Sequence, residues 1–387
     1  MSGASILSGA SGASGASGAS GASGASGASG ASGASGAAGV QRWYAGYGTG
    51  LVSDALIRNR DGIVGTWTPL TGGTLPGGQL PLEAESNLLR WESWVRAALF
   101  DFELFSRLNF THRTEGGKPS SALWHVEDVN PAADPPTTTC VRLVTLVRPP
   151  DPVFIEQLTL VNNYADLRED RSTEILAQLD EPLAFWSSVL NLHPDRRRWT
   201  LELLSAAMRL SAYAEMRFKH SLACRRAVEL SPQIQPMILT PGHSSFPSGH
   251  STESFVAAYV LWKLVLQPTP LRCEELMRQA ARIAINRTVA GVHFPVDSVA
   301  GQLLGLTLGE YFVARCTGDK YRPRKFKGDA YTPTDDFDWR KLVDGDTGNP
   351  PAGAAPGFAD VGAPQATQQS PILEWLWKRA KKEWKNT

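Results

Sequence analysis

Cysteine is scarce in this chain: four residues, Cys140, Cys224, Cys273 and Cys316, lie far apart and form no C-x-x-C pair. That excludes a zinc knuckle or a disulfide framework and leaves buried free thiols as the expectation. Net charge is absent as well, with 38 basic against 38 acidic residues. No global field recruits nucleic acid or anionic lipid, so any anion preference must be local. Nor is there an apolar run of about 18 residues that could span a membrane. The nearest candidates, 255–266 and 296–314, are too short or are broken by Asp297, Gln302 and Glu310. The first residues, MSGASILSGAS, carry neither the basic nor the apolar region of a secretory signal. A soluble, cytoplasmic protein is therefore expected.

What is present begins with a repeat. From residue 9 to residue 39 glycine recurs at every third position in a Gly-Ala-Ser tract without proline, so a flexible leader over 1–39 is expected rather than a collagen helix. A single helical catalytic domain is expected over 40–330, with one core of roughly 230 to 280 residues. Residues 40–85 read as an irregular segment packed on that core. Helical periodicity starts near Asn87, a polar, Pro-rich loop is expected over 114–139, and a short strand over 141–147. Further helical patterns run near 154–164, 172–190, 199–226, 252–266, 273–289 and 296–316. This predicts an all-α helical bundle. Residues 331–370 read as a wrapping loop passing into linker, and 371–387 as a basic amphipathic helix carrying Trp375, Trp377 and Trp384. Such a helix suits a membrane surface, a partner protein or its own core.

Three segments carry chemistry. Lys219 and Arg226 are seven residues apart, which in one continuous helix sets both cations on nearly the same side. The sequence TPGHSSFPSGHSTE (240–253) is a punctuated loop running into an apolar helix. Loop amides at a helix start converge on an anion; Ser248 adds a hydroxyl, and Gly249 lets the backbone approach closely. Ser248 or Ser251 also suits a helix cap, which is compatible with that role. His250 stands at the helix entrance, where an imidazole can shuttle protons. In ARIAINRTVAGVHFPVD, Arg287 offers a planar fork to an oxyanion, and His293 offers one ring nitrogen to the central atom. Asp297, four residues on, can accept from the other nitrogen or serve simply as a first-turn acid.

Taken together, K-x6-R, P-S-G-H and R-x5-H-x3-D over 219–297 resemble the superfamily that joins vanadium-dependent haloperoxidases to bacterial acid phosphatases and type 2 phosphatidic acid phosphatases. The resemblance implies the helical bundle of that superfamily. It implies that Lys219, Arg226, Arg287, Ser248 and the Gly249 amide hold vanadate or phosphate. In the haloperoxidase branch His293 is the vanadium ligand, His250 the acid–base group, and Lys219 polarises a peroxo group made from hydrogen peroxide before halide attacks it. In the phosphatase branch no cofactor is needed: His293 attacks phosphorus and His250 protonates the leaving group. Chain length, the missing membrane spans and a loose upstream likeness around Ser172 to Ile175 and Phe185–Trp186 favour the haloperoxidase branch, acting on halide and a small organic substrate. His243, seven residues before His250, resembles the bromoperoxidases and favours bromide over chloride, although it also suits an ordinary polar loop. Ala227 and Asn286 depart from the usual Pro and Ser and keep the phosphatase alternative open. A zinc hydrolase using His243, His250 and His293 lacks any H-E-x-x-H spacing. A non-catalytic interaction protein is the other rival. The sequons at Asn109 and Asn286 are read as chance.

Overall fold

The computed structural model describes residues 50–385, apart from 70, 74–76, 181, 266–270 and 353–354. The Gly-Ala-Ser leader expected over 1–39 lies outside the described residues.

The two apolar segments that are too short to span a membrane are the centre of the molecule. One forms α8 (Gly249–Val265) and the other α10 (Pro295–Thr317), and both are buried on nearly every side along most of their length. A helix that is apolar all round belongs in a core. Around this pair pack α6 (Pro194–Leu222), α9 (Leu271–Val289) and α11 (Pro371–Lys382). The outer helices are α2 (Ser93–Phe105), α3 (Asp151–Tyr164), α4 (Arg168–Asp180), α5 (Pro182–Leu190) and the single turn α7 (Ala227–Leu230), with α1 (Gly50–Val64) preceding them in the chain. No helix among the described residues is long and apolar enough to cross a membrane.

The all-α expectation is wrong. Strands β1 (Leu108–Glu115), β2 (Lys118–Asn130), β3 (Thr137–Val147), β5 (Arg324–Lys327) and β6 (Ala359–Val361) form one sheet in that order. It is mixed: β3 and β5 run parallel and the other neighbours antiparallel. The segment 114–139, read as a loop, is mostly the β1–β2 hairpin and its neighbour. The overlooked signal is Gly116–Gly117, a two-residue turn with φ of +57° and +75°, where side-chain-bearing residues are disfavoured. Tyr311 of α10 meets His125 of β2 at 2.9 Å and ties the sheet to the bundle. Residues 331–370 also contribute structure, supplying β6 and β7 (Gln365–Ala366), which pairs with β4 (Lys320–Tyr321).

Of the thiols, Cys224 and Cys316 are buried, but Cys140 is exposed on β3, and the Cys273 side chain lies outside what is described. The C-terminal helix turns its apolar face inward. Leu373, Leu376, Trp377 and Ala380 are buried, Trp375 packs edge-on against Trp199 at 5.3 Å, and Ser370 caps the first turn.

Candidate functional site

Lys219 and Arg226 do come together, but by a different route from a continuous helix. The helix α6 ends at Leu222, where Ala223 turns into the left-handed conformation at φ 48° and donates its amide to the Lys219 carbonyl. Arg226 therefore lies outside α6 and caps α7 instead, its backbone N–H donating to Glu229 at 2.6 Å. The expected shared helix face is corrected to a helix end and the turn that follows it.

The 240–248 loop folds over both cations. Lys219 is buried, and its ammonium donates to the carbonyls of Ser244 at 3.2 Å, Ser245 at 3.0 Å and Pro247 at 2.5 Å. Arg226 donates to the carbonyls of His243 at 2.9 Å and Val292 at 2.7 Å, so it ties the loop to the turn before α10. Its guanidinium also reaches His293 Nε2 at 3.1 Å and His243 Nδ1 at 3.0 Å. Thus His243 is a partner of Arg226. Burial and the neighbouring cations push its imidazole down to about 3. Ser248 lies just before α8 and accepts from the Ser251 amide at 3.4 Å, the geometry of a helix cap, while its own N–H donates to the Asp297 carbonyl at 2.9 Å. Gly249 and His250 are the first residues of α8.

His293 precedes α10. Its Nδ1 meets Asp297 Oδ2 at 3.0 Å, and the same oxygen accepts from the Phe294 amide at 3.0 Å. Nδ1 therefore carries the proton, and Nε2 presents its lone pair on the side where Arg226 lies. Burial pushes the Asp297 carboxyl up to about 6, which the surrounding amide and cations oppose. Arg287 is fully buried. One of its amino groups donates to Gln178 Oε1 at 2.7 Å and to the Ile175 carbonyl at 3.3 Å, while Nε and the other amino nitrogen have no protein partner. Both ring nitrogens of His250 are likewise buried without a partner. Burial, then the nearby Arg287, Lys219 and Arg226, hold its proton affinity well below the ordinary histidine range.

His250, Arg287 and His293 line one cavity of about 190 Å³, and the rest of its wall is apolar: Leu176, Leu179, Met237, Ile238, Leu239, Pro241 and Val292. Leu239 and Leu176 stand at 78% and 51% exposure, which places them at the rim. The site thus combines unpaired donors at its floor with an apolar throat. A tetrahedral oxyanion fits such a floor, because two guanidinium nitrogens of Arg287 and both ring nitrogens of His250 converge there without protein partners, beside the oriented His293. Among the described residues no group of three His, Cys, Asp or Glu side chains is placed to hold a metal ion.

Several contributors were not read from the sequence. Gln178 holds Arg287, and a network of Arg171, Glu174, Gln178 and Asn286 locks α4 onto α9. Asn286 is fully buried within it. Arg168 donates to the carbonyls of Val289, Ile234 and Gln235, joining the turn before His293 to the segment that leads to Met237. Two further acids, Glu215 and Glu253, are buried behind the site. Their only sequence signal is spacing: one lies a turn before Lys219 and the other a turn after Gly249.

Residues 204–321 match the PAP2 superfamily and form its domain in this chain, enclosing every motif above. The decaprenylphosphoryl-5-phosphoribose phosphatases of two Mycobacterium tuberculosis strains are each 34% identical over 94 residues, covering 24% of this chain and 49% of theirs. The enzyme of that name from Mycolicibacterium smegmatis is 36% identical over 77 residues, 20% of this chain and 39% of its own. The chain thus spans about half the length of the M. tuberculosis relatives it matches. These relatives are named as phosphatases, which overturns the haloperoxidase reading and lends no support to the expected vanadium, peroxide and bromide. The arguments from chain length and from the missing spans misled because neither touches the oxyanion pocket, which suits both branches. His243 likewise has a structural task on Arg226.

Proposed function

We propose that this chain, which carries a PAP2 superfamily domain, is a phosphatase that hydrolyses a phosphate monoester whose leaving group is apolar near the phosphate, by way of a phosphohistidine at His293. The observation that supports this most directly is the pair of contacts on His293: Nδ1 on Asp297 and Nε2 beside Arg226, on the wall of a cavity shared with Arg287 and His250.

In this reading Arg287 and Arg226 draw the phosphate oxygens to the cavity floor, with Lys219, Ser248 and the Gly249 amide completing the cradle. The lone pair of His293 Nε2 attacks phosphorus, the N–P bond forms, and the bond to the leaving oxygen breaks. Asp297 stabilises the positive charge that grows on the ring. His250 gives its proton to the leaving oxygen. It is neutral in the ligand-free site, and the two negative charges of an arriving phosphate reverse the electrostatic sign around it and favour protonation. Water then attacks phosphorus, His250 takes up its proton, and the N–P bond opens to release phosphate.

The apolar throat supports a leaving group with hydrocarbon beside the phosphate. Vanadate enters as an inhibitor with phosphate geometry. The test is rapid-quench incubation with a 32P-labelled alkyl phosphate. An acid-labile phosphoprotein that forms faster than turnover, and is lost in His293→Ala, is the expected result. Ester hydrolysis that persists in His293→Ala would overturn the assignment.

A further inference from the structure

Glu215 and Glu253 have no part in the steps above, yet they are among the costliest groups in the molecule to bury. Glu215 is fully inaccessible, and neither of its oxygens has a hydrogen-bond partner; Glu253 is 3% exposed, and its Oε1 has none. An isolated buried carboxylate is so unfavourable that such groups either find a counter-charge or keep a proton. Both acids sit on the helices that build the site. Glu215 is one turn before Lys219 on α6, Glu253 is three residues after His250 on α8, and these two helices pack against each other.

The charged groups around the pair are few. Lys219 and Arg226 attract Glu215, Lys219 attracts Glu253, and the two acids repel each other. Asp297, from α10, acts on Lys219, while Arg287 acts on His250. Two other charges on neighbouring helices are engaged elsewhere: Asp101 of α2 with Arg209 at 2.7 Å, and Lys381 of α11 with the Leu264 carbonyl at 2.7 Å. Lys219 makes its hydrogen bonds only to backbone carbonyls, so its positive charge is balanced through space.

We propose that Glu215 and Glu253 together carry one proton, and so one negative charge, and act as positioning residues for Lys219. One negative charge between them holds the ammonium charged and seated under the 244–248 loop, and the one proton spares the site a second negative charge that would repel phosphate. Two buried carboxyls on packed helices that repel each other beside one ammonium do not both ionise readily, so a one-proton pair is the favoured state. Burial raises both acids, Glu215 to about 8, and burial and Arg226 bring Lys219 down to about 7 while the acids pull it back up.

The charge-sharing half stands apart from the phosphatase reading; the positioning half rests on phosphate as the ligand. Two measurements on the full chain separate them. Infrared difference spectra at neutral pH read the band of a buried protonated carboxyl. The parent protein should show it, and Glu215→Gln and Glu253→Gln should each lose it, because the remaining acid ionises against Lys219. A band missing from the parent, or retained in either single variant, would sink the proposal. Calorimetry with inorganic phosphate reads the second half. Each single variant should bind within a few-fold of the parent, and the double Gln variant, folded by circular dichroism, roughly 10- to 100-fold more weakly at neutral pH. Lowering the pH should restore that affinity by reprotonating Lys219. Parent-like binding by the double variant would refute the positioning role. A parent that binds no phosphate while the infrared pattern holds would refute the phosphate reading and leave the one-proton pair standing.

Discussion

Replacing Gly301 by Ala tests whether the phosphate loop is held by packing from behind. Gly301 lies on α10 where it crosses α8, and a methyl there would sit 2.6 Å from the Ser248 carbonyl oxygen and 2.8 Å from Ser251 Cβ. Neither atom can rotate away, because one is backbone and the other is fixed to it. Alanine in a helix gains about 1 kcal/mol over glycine. Overpacking a tight core costs about 1–3 kcal/mol. The expected net loss is therefore only about 0–2 kcal/mol, and the protein should fold. Its loop should not stay in place, however. The Ser248 carbonyl must retreat by about 0.8 Å to reach ordinary contact, stretching the 2.9 Å hydrogen bond from Ser248 to the Asp297 carbonyl.

A displacement near 1 Å of a group that orients the reacting phosphate costs up to about 10²-fold in rate. Gly305→Ala is the matched control. One turn farther from the loop, its methyl would lie 2.4 Å from the Thr252 carbonyl and 2.9 Å from Phe255 Cβ, so it stresses the same helix pair at least as much. Urea unfolding and turnover of p-nitrophenyl phosphate should then separate the two. Gly305→Ala should lose more stability, and Gly301→Ala more kcat. A folded Gly301→Ala variant with kcat within about twofold of the parent would refute the idea that this contact places the loop.

Asp297→Asn should lower kcat by about 10- to 100-fold with a smaller change in KM, because an amide no longer compels the Nδ1–H tautomer of His293; an unchanged kcat would remove Asp297 from the mechanism. Phosphate binding at alkaline pH should draw protons from solution, since Lys219 sits at about 7 and His250 is held well below the ordinary histidine range until the anion arrives. Affinity should accordingly fall as pH rises above about 7, by up to tenfold per unit for each proton taken up, and calorimetric heats that do not depend on the buffer's ionisation would contradict this. Leu239→Ser should raise KM for a long-chain alkyl phosphate by about tenfold, from lost apolar contact, and raise it much less for p-nitrophenyl phosphate; equal effects on both would argue against the throat as the leaving-group site.

How much of this was legible from residue order depends on how local the cause is. The central helices were visible because α8 and α10 are largely apolar with few polar interruptions. The close approach of Lys219, Arg226 and His293 is assembled by backbone carbonyls of Ser244, Ser245, Pro247 and Val292, which carry no side-chain signature. Periodicity ran through the end of α6 because the break is Ala223 in a left-handed turn, a conformation that alanine rarely announces. The sheet was missed for a related reason: β1 and β2 are rich in Thr, Ser and His on one face and meet at a glycine pair, and their polarity resembles a loop. Gln178 was invisible because only the packing of α4 on α9 brings it to Arg287.

The C-terminal helix packs its apolar face on the protein's own core, one of three readings that composition leaves equal. The five basic residues and three tryptophans of 371–387 suit a membrane surface, a partner or the protein's own core alike. In the fold, Trp384 donates to Thr200 at 2.9 Å and lies under the Arg197 guanidinium at 3.9 Å, and Glu383 accepts the amides of Trp199 and Thr200 at 2.9 Å each. Those two amides follow the break in α6 at Arg197 (φ −130°), in the first turn of the run that continues to Leu222, where helix donors otherwise lack partners, so Glu383 acts as a cap supplied from a distant part of the chain. Lys219 lies near the other end of α6, and α11 also packs on α8 and α10. The helix therefore braces the three elements that carry Lys219, His250 and Asp297, and its tryptophans are spent on that contact.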